Sequence, residues 1–376
     1  MIVCKVKFLL FSSIIIQIIF VVNSLIFENM QRIEANLLKS KFRGSILGVL
    51  AGDCCGLPFE FEENLQPLVI KNNLNRLEGP YYKAPFKKYS DDTAMTKVFT
   101  QTLINGYSQK ALAKNFTAEY FREPSRGYGN GVTKIFEKLR KSNFEDVTLP
   151  AKNQYFGTGS YGNGGGMRVA PAALFSHNDL QNLTSLVREA TKVTHTHKFG
   201  IYGALLQAFA VQQAIYLHPK ENPLDVFRFT DELLQKMREI ETAEDDGMTE
   251  NKKEFQTQLT EMKKLLERAE PPEVETVVDK LGHSLNALFS VPTAIYCFLR
   301  SHKTPMDAEK NGFRNTLEFA INLGGDTDTI AAMACAIAGA YHGEEAISEN
   351  LLKHCESYEE IRNLADQLFE KFNEKK

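Results

Sequence analysis

Residues 330–340 read IAAMACAIAGA, a stretch with no polar side chain on any face. Wound as a helix, it is apolar around its whole circumference and is stable only when packed on every side. A chain that must surround such a segment needs a shell of other elements, and the remaining apolar periodicity is helical. Phe255, Leu259, Met262 and Leu266 step by four, three and four, with Lys and Glu filling the opposite face. Val98, Phe99, Leu103 and Ile104 share a stripe after Ser90, and Gly106 is placed to end that helix in a left-handed cap. Residues 198–217 carry Ile201, Ala204, Leu205, Ala208, Phe209, Gln212 and Ile215 mostly on one face, and Phe313, Leu317, Ala320 and Ile321 form another stripe. No convincing period-2 strand occurs. The expected fold is all-α, one compact domain over residues 33–376, without an internal linker or a repeat of solenoid period. Residues 241–250 (ETAEDDGMTE) read as a surface loop or insert, and Glu270-Pro271-Pro272 as a turn.

The N-terminus departs from this pattern. Lys5 and Lys7 precede a run from Phe8 to Phe27 that is apolar apart from Ser12, Ser13, Gln17, Asn23 and Ser24. Residues 1–27 therefore look like a secretory signal with Ser24 as its small cleavage edge, or a membrane anchor; a misassigned start upstream of the true protein is the bland alternative. Two sequons, at Asn115 and Asn182, fit secretion, although such triplets are frequent by chance. Membrane contact is expected only through residues 8–27. The net charge of −3 provides no basic footprint, so no direct nucleic-acid binding is expected, and an anionic ligand must be held by local devices. The six cysteines show no paired spacing, and a disulfide framework is not expected.

Four constellations carry chemistry. Ser90-Asp91-Asp92-Thr93 opens a helix: Ser90 suits the N-cap, and the two acids offset the helix dipole. Gly324-Gly325-Asp326-Thr327-Asp328-Thr329 precedes the all-apolar segment. Capping explains one of its acids well, whereas alternating acids and hydroxyls concentrate hard oxygen ligands in one turn, and the glycines let the backbone approach whatever sits there. Buried carboxylates need a compensating cation, and Mg²⁺, which takes octahedral oxygen ligands, fits. The two acid clusters together favour the metal over capping. The third is the glycine-rich run from Gly157 to Gly166, containing Thr158, Gly159, Ser160, Tyr161, Gly162, Asn163 and Gly164. No hydrophobic strand precedes it, which argues against a dinucleotide-binding Rossmann unit. It reads instead as a backbone-donor loop for phosphates before a helical Met167-Arg168-Val169-Ala170, or else as a flexible surface loop. The fourth is Thr194-His195-Thr196-His197. Zinc would need a third ligand that is not evident, so one histidine orienting a ligand hydroxyl or phosphate is the better functional reading, against that of buried hydrogen-bonding histidines. Glu60, after the apolar turn Gly56-Leu57-Pro58-Phe59, alone passes as a surface acid.

Taken in order, Phe42-Arg43-Gly44, Gly52-Asp53-Cys54, Ser90-Asp91-Asp92-Thr93-Ala94-Met95, Gly159-Ser160-Tyr161-Gly162-Asn163-Gly164 and Gly324-Gly325-Asp326-Thr327-Asp328-Thr329-Ile330 resemble the ADP-ribosylglycohydrolase family. Arg126-Gly127-Tyr128-Gly129 and 291–300 (VPTAIYCFLR) resemble the branch that removes ADP-ribose from serine and degrades poly(ADP-ribose). The resemblance runs from about Lys41 to the C-terminus. It implies an all-helical orthogonal domain with two Mg²⁺ ions in a central cleft. Ser90, Asp91 and Asp92 would serve one ion, Asp326 and Thr329 the other, with Asp328 bridging and Glu60 contacting metal as a mobile acid. Glu60 and Asp91 would be the catalytic carboxylates. Thr158 to Gly164 would hold diphosphate and ribose, Tyr155 would stack, His195 would touch the ligand, and Leu285 would line the adenine side. The implied activity is Mg²⁺-dependent hydrolysis of the O-glycosidic bond of ADP-ribose on serine, in poly(ADP-ribose) or in O-acetyl-ADP-ribose, by a monomer serving the DNA damage response. The alternatives are an arginine-ADP-ribose hydrolase and a non-catalytic ADP-ribose-binding protein. Ser90 stands where that branch commonly has Thr, and Tyr155 where Phe is expected. The resemblance implies nucleus, cytoplasm and mitochondrion, in conflict with the look of residues 1–27.

Overall fold

The computed structural model describes residues 33–62, 65–80, 85–243, 253–304 and 309–374. The apolar run 8–27 and Cys4 lie outside them. Among the described residues the secondary structure is helical, with no strand. Six helices position the site: α1 (Ala35–Gly56), α2 (Asp91–Ile104), α3 (Lys198–Ile215), α4 (Ala287–Lys303), α5 (Gly312–Asn322) and α6 (Thr327–His342).

The all-apolar segment is the body of α6, and every residue from Ile330 to Ala340 is buried. Helices α2, α3, α4 and α5 pack around it. The remaining wall is α1, which approaches more closely than ordinary side chains allow. Gly44, Gly48, Gly52 and Gly56 recur every four residues and so share one face. A Cβ on any of them would run into α6 backbone, at Gly339, Cys335, Ala331 and Thr327–Asp328 in turn. Each glycine costs a helix about 1 kcal/mol relative to alanine, a penalty offset by close-packed contact along the two backbones. The pair is stitched by Ser45 Oγ donating to Ala336 O (2.9 Å) and Thr327 Oγ1 donating to Gly56 O (2.9 Å). At the far end the fully buried Lys41 ammonium donates to Leu217 O (2.6 Å), Ala340 O (3.0 Å) and Tyr341 O (2.8 Å), capping two helix C-termini.

The amphipathic faces at 255–266 and 313–321 are buried as their spacing requires. Gly106 takes φ +99 beyond the end of α2. Cys54, Cys55, Cys297, Cys335 and Cys355 are buried and free. Residues 241–250 are not a loop from their start: helix Val226–Ala243 runs through Glu241. Glu241 is buried and accepts from Phe255 N (3.0 Å) and Gln256 N (3.2 Å), so this acid caps the next helix across the gap. Both sequon asparagines lie in helices and are hydrogen-bonded, Asn115 to Thr102 Oγ1 (3.0 Å) and Asn182 to Ser176 Oγ (2.8 Å). Among the described residues no helix is long and apolar enough to cross a membrane.

Candidate functional site

The first acidic turn is held from three directions. Residues 85–90 run extended into α2, and Lys87 is bridged to the C-terminal region by Lys87 N donating to His354 O (2.7 Å) and Glu356 N to Lys87 O (2.9 Å). Arg126, ion-paired with Glu356, donates to Tyr89 O (3.1 Å). Ser90 is the N-cap, its hydroxyl accepting from Asp92 N (3.2 Å). The third support comes from α1. The Asp53 carboxylate, fully buried, accepts from Ser90 N (2.9 Å), Thr93 N (3.0 Å) and Thr93 Oγ1 (2.6 Å). It thus satisfies N–H groups that a helix start leaves open.

The second turn does not cap in the usual way. Asp326 occupies the N-cap position of α6 but makes no side-chain cap. Its carboxylate instead accepts from Asn163 Nδ2 (2.5 Å), and its N–H donates to His283 O (3.0 Å). Gly324 and Gly325 both take φ +70, and a Cβ on Gly325 would collide with His283. The close approach expected of these glycines is therefore to the protein's own chain. Thr329 Oγ1 donates to Asp92 Oδ2 (3.1 Å) and Thr329 N to Asp328 Oδ1 (2.8 Å), so the two acidic turns, distant in sequence, meet.

Two groups of carboxylates result, Asp53–Asp92–Asp328 and Glu60–Asp326–Asp328, each with oxygens within 4.8 Å of one another and sharing Asp328. Asp91 belongs to neither, and its Oδ1 faces Gly127. None of these six acids has a Lys or Arg ion-pair partner among the described residues. Burial and mutual repulsion accordingly hold the carboxyls above their ordinary range. Burial, then Asp53, pushes Asp91 up to about 7. Burial, then Asp326, pushes Asp328 up to about 10. Burial, then Asp328, raises Asp92, while Asp53 and Asp326 are raised by burial. Glu60, half-buried at the rim, is raised by burial and by Asp326 and Asp53. A set of buried, unpaired hard-oxygen donors is the chemistry that a divalent cation compensates.

The glycine loop is fixed beside this cluster. Asn163 joins it to Asp326, and backbone bonds Asn163 N to Leu285 O (2.9 Å) and Ala287 N to Tyr161 O (3.1 Å) tie it to the start of α4. Gly162 and Gly164 pack against the His195 ring. Ser160 Oγ accepts from Gly162 N (3.3 Å), and Thr158 Oγ1 donates to Tyr155 O (2.8 Å). Tyr155, Phe156, Tyr161 and Leu285 present exposed apolar surface around the loop. The helix expected at Met167 begins only at Ala170; Met167–Val169 form a turn that sends Arg168 into the interior. The two histidines of the His-Thr-His run separate. His197 caps α3, Nδ1 accepting from Phe199 N (3.1 Å), while His195 turns toward the loop.

Sequence reasoning missed Asp53 as a site residue, although the four-residue glycine repeat flanking it marks a helix face pressed on another backbone. It also missed the fully exposed Phe156 ring, for which the sequence held no signal.

A sequence profile described as ADP-ribosylglycohydrolase matches residues 34–376. ADP-ribosylhydrolase ARH3 of Xenopus tropicalis is 38% identical over 338 residues, covering 88% of this chain and 95% of that protein. ADP-ribosylhydrolase ARH3 of Homo sapiens is 37% identical over 350 residues, covering 89% and 94%. A solved structure described as an ADP-ribosylglycohydrolase-related protein complex superposes with TM-score 0.62 at 21% identity, over 89% of this chain and 99% of that one, a likeness of fold.

Proposed function

The chain belongs to the ADP-ribosylglycohydrolase family and is a glycosidase-type hydrolase; from that premise we propose that it hydrolyses the O-glycosidic bond of ADP-ribose on serine, in poly(ADP-ribose) or in O-acetyl-ADP-ribose, with two Mg²⁺ ions. The observation that carries this reading is the Asn163–Asp326 bond, which joins an acidic cluster suited to hard cations to a loop suited to a diphosphate. In this reading Asp53, Asp92 and Asp328 hold one ion with the hydroxyls of Ser90 and Thr329 beside them, and Glu60, Asp326 and Asp328 hold the other. Divalent cations there would offset negative charge on the leaving oxygen and order the ribose hydroxyls.

The chain's own groups do the rest. Backbone N–H groups of Ser160, Tyr161 and Gly164 and the ring of His195 orient diphosphate and ribose. Tyr155, Tyr161 and Leu285 offer apolar faces to the base. Glu60, in the cluster, and Asp91, outside both groups, are carboxyls that burial raises above their ordinary range, and their carboxylates are suited to hold a water and take its proton. As the water oxygen bonds to the anomeric carbon, the bond from that carbon to the serine oxygen breaks. The electron pair stays on the serine oxygen, which takes up the proton that the carboxylate received from the water and leaves as a hydroxyl. Ordinary glycosidases divide these tasks between two facing carboxylates.

Matched peptides carrying ADP-ribose on serine or on arginine separate the acceptor classes. Free ADP-ribose should appear from the serine peptide. Release from arginine alone moves the assignment to the N-glycosidic alternative, and binding without release makes the protein a reader.

A further inference from the structure

Arg168 is fully buried and carries no ion pair among the described residues. Its guanidinium donates to Gly164 O, to Ala190 O (3.4 Å) and to Thr194 Oγ1 (2.6 Å), and lies 5.0 Å from the centroid of the Phe116 ring. A guanidinium has only donors, so Thr194 Oγ1 must accept in that bond. The hydroxyl proton of Thr194 is then free to be given elsewhere, and its neighbour at hydrogen-bond distance is His195 Nδ1, at 2.7 Å. An imidazole nitrogen that accepts a proton bond carries no proton of its own, so the hydrogen of a neutral His195 sits on Nε2.

Nε2 has no partner among the described residues, yet it is not sealed off as a buried unsatisfied atom. It lies against the glycine loop, 3.3 Å from where a Cβ of Gly162 would stand and 3.2 Å from one on Gly164. We propose that Arg168 and Thr194 form a positioning relay that fixes His195 as the Nε2–H tautomer, so that the loop offers a ligand oxygen a neutral donor. Burial, then the Arg168 charge, pushes the His195 imidazolium down to about 3, which keeps the ring uncharged at neutral pH. His195 then serves recognition of an oxygen-rich ligand and leaves proton transfer to the carboxylates. The tautomer is a property of the ligand-free chain; only the identity of the ligand, ADP-ribose, rests on the function proposed above.

The test is the imidazole ¹⁵N spectrum of the full chain labelled at histidine, with His195→Gln identifying the His195 signals, together with ADP-ribose titration calorimetry. Wild type should show a protonated Nε2 and an unprotonated Nδ1, unchanged from pH 5 to 8. Thr194→Val, which removes the hydroxyl, should lose that single tautomer and bind ADP-ribose about tenfold more weakly, the loss of one hydrogen bond. Thr194→Ser should restore both spectrum and affinity. A wild-type spectrum with the proton on Nδ1, or a Thr194→Val protein with unchanged spectrum and affinity, overturns the relay; should Thr194→Val not fold, the wild-type and Thr194→Ser spectra decide alone. Wild type with the Nε2–H signature but no affinity for ADP-ribose sinks the proposed function and leaves the relay standing.

Discussion

Asp328→Asn should make the metal-free protein more stable while abolishing its response to Mg²⁺. Without a cation, Asp328 sits among Asp53, Asp92, Asp326 and Glu60 with its carboxyl raised from 3.8 to about 10. The folded chain then carries a proton at this site that the unfolded chain lacks. Stability therefore falls as pH rises from the unfolded value toward the folded one. At pH 7 the gap of about three units corresponds to about 4 kcal/mol at 1.36 kcal/mol per unit. Because the carboxyls of this cluster titrate together, about half of that shift is shared with its neighbours and survives the substitution, leaving about 2 kcal/mol. Asparagine needs no proton, and its amide oxygen can keep the bond from Thr329 N (2.8 Å). At about 1.4 °C per kcal/mol for a chain of this size, the variant should melt about 3 °C above wild type in chelator. Adding Mg²⁺ at a hundredfold excess over its Kd should raise wild type by about 2.7 kcal/mol and leave the variant where it was. Thermal melts at pH 6, 7 and 8, with chelator or Mg²⁺, read all of this, and the metal-free variant should show a flatter pH dependence. A variant that melts lower than wild type in chelator and still gains from Mg²⁺ is incompatible with a crowded, cation-compensated Asp328.

Further outcomes follow from the same geometry. Asp53→Asn turns an amide donor toward N–H groups of α2; urea unfolding should show a loss of about 2–4 kcal/mol relative to wild type, and ADP-ribosyl turnover should collapse. Gly48→Leu drives a side chain into the Cys335 carbonyl and should cost about 3 kcal/mol or more, read as a drop in urea midpoint, whereas Leu47→Ala, one residue earlier, should cost only a cavity's worth, about 2–4 kcal/mol, without separating the helices. Lys41→Met leaves three carbonyls at helix ends without their donor and should lower stability by about 2–4 kcal/mol, with affinity for ADP-ribose little changed.

How much of this was legible beforehand differs by element. The segment 330–340 announces its burial because it has no polar face, and the stripes at 255–266 and 313–321 announce their helices by spacing alone. The acid-rich turns stand out because two carboxylates within three residues are costly to bury without a reason. Asp53 does not stand out: a lone acid in an apolar helix reads as ambiguous until the glycine spacing around it is recognised as a contact face. Glu241 was masked by its acidic neighbours, since composition gives no sign that one acid of a charged run caps a helix in a later segment. Thr194 and Arg168 were hidden for a related reason. Their roles depend on which atom of His195 each one reaches, and that is fixed only when the turn at 167–169 sends Arg168 inward.

Most depends on whether the joined carboxylates act through a divalent cation to release ADP-ribose. Metal-stripped protein should be incubated with serine-ADP-ribosylated peptide while Mg²⁺ is restored stepwise, and free ADP-ribose measured. The expected result is no release in chelator and a saturable recovery with Mg²⁺ that Asp328→Ala abolishes. Full turnover in chelator, or an Asp328→Ala protein that turns over like wild type, contradicts a cation-dependent site.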